Sequence, residues 1–208
     1  MQGIFISMEG PDGSGKSTQI SLLEKHLRDM GYDDIIITRE PGGTRISEAV
    51  REVILNKEYK EMGYMTEALL YASARAQLVS EVIAPALECG KAVVSDRFVD
   101  SSVVYQGMAR GLGVENIYNI NSYAIQGIMP DITIHLDLPA EVGLGRARGR
   151  AELDRMELES VEFHKRVAQG YRDLAKLSPD RIKTIDATLP VEKIHEIIAG
   201  YVDKIIKA

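Results

Sequence analysis

The chain has 208 residues, 45% hydrophobic and 27% charged, a balance typical of one soluble globular domain. Its net charge of -6 argues against a nucleic-acid polymer as partner, because a phosphate backbone is bound by a basic surface. The single cysteine, Cys89, excludes an internal disulfide and fits a cytoplasmic protein, and we expect it to be buried at a helix end. Since no export signal and no apolar run of about 18 residues is found, we expect no membrane insertion.

Five short β-branched runs, almost continuously apolar, are typical of parallel strands covered on both faces. They span Ile4–Met8, Ile35–Thr38, Ala92–Ser95, Ile132–Leu136 and Ile182–Ile185. Helical patterns occupy Ser17–Met30, Arg45–Asn56, Thr66–Glu88, Val114–Gly127, Glu157–Leu177 and Val191–Lys207. The alternation predicts an α/β fold, a five-stranded parallel sheet with helices on both faces, in a single domain covering residues 1–208.

A phosphate-binding motif of the form G-x-x-x-x-G-K-[ST] follows the first strand and opens the first helix. It consists of Gly10, Pro11, Asp12, Gly13, Ser14, Gly15, Lys16 and Ser17, with Thr18 next. Its glycines let backbone N–H groups turn towards phosphate oxygens, and the helix N-terminus adds a positive dipole. Lys16 can then reach the β- and γ-phosphates, and the Ser17 hydroxyl can bind Mg²⁺. The motif therefore predicts an ATP site that uses Mg²⁺.

Charged residues also follow the later strands, where ligands bind in open α/β sheets. Arg39 precedes a glycine turn, and Arg97 follows the third strand, where it could bind phosphate or form a structural ion pair. Asp96 ends the third strand and is our preferred Mg²⁺ carboxylate, with Asp137 after the fourth strand as the alternative.

With these motifs in view, the sequence resembles the thymidylate kinases along nearly its whole length. The resemblance is carried by Glu9–Thr18, Arg39–Thr44, Tyr71 with Arg75, Asp96 to Gly107, Arg146–Glu157 and Ile185–Thr188. It implies a P-loop kinase fold, a homodimer, and transfer of the γ-phosphoryl group of ATP to dTMP, giving dTDP and ADP for dTTP synthesis.

The resemblance also implies contacts with dTMP. Asp12 would bind the sugar 3′-hydroxyl, while Arg39 and Arg97 would hold the phosphate, which suits planar guanidinium groups. Tyr71 would stack on thymine and Arg75 would donate to a thymine carbonyl. The i, i+4 spacing of this pair places both on one helix face independently of the resemblance.

Further contacts come from the segment after Arg97. Ser102 would touch the base edge, with Gln106 nearby, and Tyr105 would crowd the sugar 2′ position. For adenine, Arg146 would lie on one side and Asp186, Ala187 and Thr188 on the other.

The P-loop carries Gly13 where some relatives have a basic residue. The chain thus resembles the branch that supplies a catalytic arginine from a mobile lid, here at about residues 143–156. Arg150 is our first candidate and Arg148 the second, with Arg155 also considered; the alternative is a solvated, charged helix end.

Two other functions stay open at this point. The protein could be a P-loop kinase for another nucleoside monophosphate, or a P-loop switch that binds nucleotide without a phosphoryl acceptor. Measuring phosphoryl transfer to dTMP would distinguish the P-loop switch from a kinase.

Overall fold

The computed structural model describes residues 2–148 and 153–207 and contains a five-stranded parallel sheet. The strands are β1 Ile4–Glu9, β2 Ile35–Arg39, β3 Ala92–Asp96, β4 Ile132–Asp137 and β5 Ile182–Asp186, in the spatial order β2-β3-β1-β4-β5. All neighbouring pairs are parallel, so the predicted sheet is confirmed. Each strand runs one residue beyond its predicted end, and in every case that residue is charged. The sheet therefore presents five charged residues along one edge.

Nine α-helices follow in chain order in the described part of the chain. They are α1 Lys16–Asp29, α2 Arg45–Leu55, α3 Tyr64–Leu78, α4 Ala84–Glu88, α5 Val99–Ser102, α6 Val114–Ile125, α7 Ala140–Arg148, α8 Val161–Leu177 and α9 Val191–Ile206. A π-helical stretch, Val79–Ile83, joins α3 to α4, so the predicted helix Thr66–Glu88 is one continuous rod that starts slightly earlier. A second π-helical stretch, Val103–Ala109, extends α5.

Three helix predictions need correction. The helix at Val99–Ala109 was missed because it is buried nearly all round and lacks the polar face that helical periodicity requires. The last long helix before β5 begins at Val161 rather than at residue 157, because the Ser160 hydroxyl caps it by accepting from the Phe163 N–H at 3.2 Å. The segment expected to form a mobile lid, at about residues 143–156, was assigned no helix, yet it is helical as far as Arg148.

The sheet separates two apolar layers, which confirms helices on both faces. On one face the alternate β1 residues Ile4, Ile6 and Met8 pack with α1 and α9. On the other face Phe5 packs with the α3–α4 rod. Because side chains alternate along a strand, Glu9 lies on the same side as Phe5 and is fully buried beneath the carboxyl edge. The Glu9 carboxylate holds the segment that follows β3, where it accepts from the Phe98 N–H.

Cys89 is exposed, so its expected burial was wrong. None of the helices in the described residues has the length and apolar content needed to cross a bilayer.

Candidate active site

The P-loop joins β1 to α1 and wraps around the amino group of Lys16. Gly15 has φ 93° at the start of α1, a left-handed conformation that glycine adopts without strain. The Lys16 Nζ donates to the carbonyl oxygens of Gly10 and Pro11 at 3.1 and 3.2 Å and lies 4.0 Å from Asp96. Burial and the nearby Arg97 lower the pKa of Lys16. A desolvated cation thus lies where phosphate oxygens would replace its carbonyl partners.

A cleft opens over this loop. It is lined by Asp12, Gly13, Gly15, Lys16, Ser17, Thr18, Arg39, Glu40, Arg51, Asp96 and Arg97. Arg51, on α2, was missed from sequence, since it looks like any polar residue of an amphipathic helix. Its Nη1 donates to the Pro41 carbonyl at 2.7 Å, while burial and the neighbouring Arg39 lower its pKa. Arg39 pairs with Glu48 at 3.0 Å. Four cationic side chains, Lys16, Arg39, Arg51 and Arg97, therefore line the cleft over the P-loop.

Arg97 is aimed by a strained turn that the buried Glu9 stabilises. Its φ is 74°, an uncommon value for a non-glycine residue. The Glu9 carboxylate accepts from the Phe98 N–H at 2.7 Å and from the Tyr171 hydroxyl at 2.9 Å. Tyr171 in turn accepts from Arg97 Nη1 at 3.1 Å. Helix α8 thereby helps to fix the arginine, a contact that sequence reasoning did not find.

Arg97 forms the structural ion pair that was one of its two interpretations, and its position leaves phosphate binding open. Its Nη2 pairs with Asp12 Oδ1 at 2.8 Å, and its side chain also lines the cleft over the P-loop and the adjoining one. Burial alone would raise the pKa of Asp12, but Arg97 and Lys16 outweigh it and lower that pKa to about 2. Asp12 is therefore a carboxylate, suited to accept from a hydroxyl group.

A second cleft adjoins the first and shares residues with it. It is lined by Asp12, Glu40, Pro41, Arg51, Leu55, Tyr71, Arg75, Arg97, Phe98, Ser101, Ser102, Tyr105, Gln106, Asp154 and Met156. The structure thus brings together the residues predicted for dTMP, with Arg39 in the adjoining cleft. Burial raises the pKa of both Tyr71 and Tyr105, so their phenols are neutral. The Tyr105 hydroxyl is buried and has no partner among the described residues.

Arg75 is almost fully buried and is held on three sides. Its Nε donates to Glu40 at 2.7 Å, and its Nη1 donates to Ser102 at 3.2 Å and to Asn121. Burial raises the pKa of Glu40 to about 7. Asn121 was also missed, because it lies on α6, far along the chain, within an ordinary core pattern. The guanidinium is fixed before any ligand arrives.

Gln106 and Arg155 meet at a buried carboxylate, Glu67 of α3. Gln106 Nε2 donates to it at 2.9 Å and Arg155 Nη1 lies 2.7 Å from it, with Arg110 as a third partner. Arg155 also donates through Nε to the Ile54 carbonyl at 2.7 Å. These contacts favour an anchoring role for Arg155 at the end of the lid segment. Gln106 lines the nucleotide cleft while its amide faces Glu67.

The two candidate Mg²⁺ carboxylates differ in their partners. Asp96 Oδ1 is buried without a hydrogen bond among the described residues, and Asp96 lines the phosphate cleft with Ser17. Both Asp137 oxygens accept from Arg172 Nε, at 3.0 and 2.9 Å. A carboxylate oxygen without a hydrogen bond, 4.0 Å from the Lys16 amino group, and a hydroxyl are hard oxygen ligands that fit Mg²⁺, so the arrangement favours Asp96.

The residues predicted for adenine lie at the carboxyl edge. Asp186 Oδ1 accepts from the Thr188 N–H at 2.9 Å and from its hydroxyl at 2.7 Å, and the Ala187 N–H donates to the Asp137 carbonyl at 2.9 Å. Arg146 is exposed on α7 and donates to the Gly13 carbonyl at 3.1 Å. The Arg148 side chain and all of Arg150 lie outside what the structure describes.

A P-loop beside a second, arginine-lined cleft at the same sheet edge defines a P-loop kinase for a phosphorylated small acceptor. Comparison with known sequences narrows this class. A sequence model of the thymidylate kinase family matches residues 8–198, and the chain belongs to that family.

Relatives and a solved structure agree with that assignment. The thymidylate kinase of Geobacillus thermodenitrificans (strain NG80-2) is 53% identical over 93% of this chain and 87% of its own length. That of Clostridium novyi (strain NT) is 48% identical over 96% and 98%. The crystal structure of thymidylate kinase from Ehrlichia chaffeensis superposes with a TM-score of 0.79 at 30% identity, covering 97% of this chain and 99% of the other.

Proposed function

We propose that this protein transfers the γ-phosphoryl group of ATP to dTMP, giving dTDP and ADP. The observation that carries the proposal is that the two clefts share one wall, formed by Asp12, Glu40, Arg51 and Arg97. A phosphate in the nucleotide cleft would therefore lie next to the phosphates on the P-loop. Placing two reactants side by side is the main requirement of phosphoryl transfer.

Charge neutralisation would supply most of the catalysis. Lys16 would bind the transferring group, and Arg97, held by Asp12 and Tyr171, would hold the acceptor phosphate. No general base is needed, because the acceptor oxygen is already anionic. Mg²⁺, bound by Ser17 and by Asp96 directly or through water, would neutralise phosphate charge and orient ATP. The lid arginine, Arg150 or Arg148, would add a further positive charge next to the oxygen that bridges the β- and γ-phosphates of ATP.

Arg75 would select thymine. Glu40, Ser102 and Asn121 engage all three of its nitrogens but would leave one N–H to donate to a carbonyl of a base stacked on Tyr71. Cytosine presents an amino group where thymine has its 4-carbonyl, so the buried donor would face another donor.

The test is an acceptor panel of nucleoside monophosphates with Mg·ATP, with ADP release and the phosphorylated product both measured. We expect dTMP to be used well and dCMP poorly, and Arg75→Ala to lose dTMP efficiency while keeping its affinity for ATP. Equal use of dTMP and dCMP would contradict the role of Arg75. ATP hydrolysis that dTMP does not alter would instead favour the nucleotide switch, and a preference for another monophosphate would favour the other kinase.

We also propose that the protein is a cytoplasmic homodimer. Helix α3 packs against both α2 and α6, and these helices expose the apolar side chains of Val53, Met65, Leu69 and Tyr123. Exposed apolar side chains on adjacent helices are typical of an interface. Light scattering should give twice the chain mass, and Leu69→Glu should shift it towards the monomer.

A further inference from the structure

The first turn of α7 packs directly on the P-loop through two glycines. A Cβ placed on Gly143 would lie 2.6 Å from the Asp12 carbonyl oxygen. A Cβ placed on Gly13 would lie 2.7 Å from the Gly143 carbonyl oxygen. Both obstacles are backbone atoms, which cannot rotate aside as a side chain can, so relieving either contact requires helix and loop to separate.

The backbone of Gly143 gives no other reason for glycine at this position. Unlike Gly13, which has φ 78°, Gly143 is not among the residues with positive φ. A glycine inside a helix is less favourable than alanine, because it loses more backbone entropy on folding. Close approach to the P-loop is therefore the structural reason for its presence.

Arg146 lies one turn further along the same face of α7. Its Nη1 donates to the Gly13 carbonyl at 3.1 Å, and its Cβ would lie 3.0 Å from a Cβ on Gly13. Gly143 and Arg146 thus touch consecutive residues of the loop. The distance between helix and loop decides whether Arg146 reaches it.

We propose that Gly143 is a positioning residue for ATP: it seats α7 on the P-loop and so holds Arg146 at the ATP side of the site. The inference depends on the proposed placement of ATP on this loop. With alanine at 143, restoring ordinary contact to the Asp12 carbonyl needs a separation of about 0.8 Å, and Arg146 moves with the helix. The acceptor cleft should change little, since the described residues that line it include none from α7 and the Asp12 side chain stays paired with Arg97.

The same helix offers a matched control, Gly145. It is exposed, and a Cβ on it would meet no atom within 4 Å. Gly143→Ala and Gly145→Ala bring the same gain in helix propensity, so a difference between them reports the contact with the loop.

The experiment measures kcat, the KM for ATP, the Kd of a non-hydrolysable ATP analogue, the Kd of dTMP without ATP, and the melting temperature. We expect Gly143→Ala to raise the KM for ATP and the analogue Kd about tenfold, the size of change expected when one contact made by a charged side chain is lost. Its dTMP affinity should stay unchanged. Gly145→Ala should match the native protein in every binding and kinetic constant and should melt no lower.

A double-mutant cycle tests whether Gly143 acts through Arg146. Gly143→Ala and Arg146→Leu should be strongly non-additive in analogue affinity, because either change alone removes the same contact. Additive effects would overturn the proposed route through Arg146.

Equal analogue affinity in the two alanine variants would overturn the role of Gly143. Parallel losses of analogue affinity, dTMP affinity and melting temperature in Gly143→Ala would also overturn it, by showing a general folding defect. A native protein that binds the analogue but does not phosphorylate dTMP would refute the proposed function and leave the Gly143 comparison valid.

Discussion

The free energy of unfolding of the native protein should fall as the pH rises towards neutrality. Replacing Glu40 with glutamine should remove this fall. Glu40 is 5% exposed, and its Oε1 has no partner in the described part of the chain, although its Oε2 accepts from Arg75 at 2.7 Å. Burial raises its pKa from 4.5 to about 7. The folded protein therefore favours the protonated carboxyl group more than the unfolded chain does.

The sign and size of the effect follow from linkage. A raised folded-state pKa contributes stability that is fully present below pH 4.5 and is lost as the pH rises through about 7. The shift of about 2.5 pKa units, at about 1.36 kcal/mol per unit, corresponds to about 3 kcal/mol. The free energy of unfolding of the native protein should fall by about this amount, relative to Glu40→Gln, between about pH 4.5 and pH 8.

Urea unfolding followed by circular dichroism across this pH range measures the difference. Glu67→Gln is the matched control, since Glu67 is also a buried glutamate paired with arginine. Burial would raise the pKa of Glu67, but hydrogen bonds from Arg110 and Gln106 outweigh it and lower that pKa. Glu67 is then ionised in both states above about pH 5.5, so its stability contribution is lost only at lower pH. Parallel native and Glu40→Gln curves would refute the reasoning.

Three further predictions concern catalysis and sugar selection. Lys16→Ala should lower kcat by about a thousandfold while the melting temperature stays close to native, and near-normal turnover would remove Lys16 from the mechanism. Tyr105→Ala should move the ratio of efficiencies for dTMP and its ribonucleotide towards one, because we propose that the buried ring fills the space that a 2′-hydroxyl would need; an unchanged ratio would place discrimination elsewhere. Arg150→Ala should reduce kcat about a thousandfold with little change in dTMP binding, whereas a steep loss only in Arg148→Ala would reassign the role.

Features that depend on neighbouring residues could be predicted from the sequence. The P-loop needs glycines, a lysine and a helix start within a few residues, so its motif and its position after β1 could be predicted together. The three central strands β1, β3 and β4 were recognisable because burial on both faces makes each run apolar, whereas the edge strands β2 and β5 are partly exposed. The helix at Val99–Ala109 was not predicted, because burial on nearly all sides leaves no alternation of apolar and polar residues at the helical period.

The tertiary structure decided what depends on pairs distant in the chain. Asn121 reaches Arg75 across 46 residues and Tyr171 reaches Glu9 across 162, and neither stands out from its own helix. Asp96 and Asp137 each end a strand and cannot be distinguished from the sequence. The structure shows that Arg172 forms an ion pair with Asp137. A local sequence pattern predicts which face of a helix or strand is buried. Which side chains contact each other depends on how the helices and strands pack in the fold. For that reason the sequence alone could predict the phosphate loop, while only the packed fold showed how Arg75 and Arg97 are held and why Gly143 is glycine.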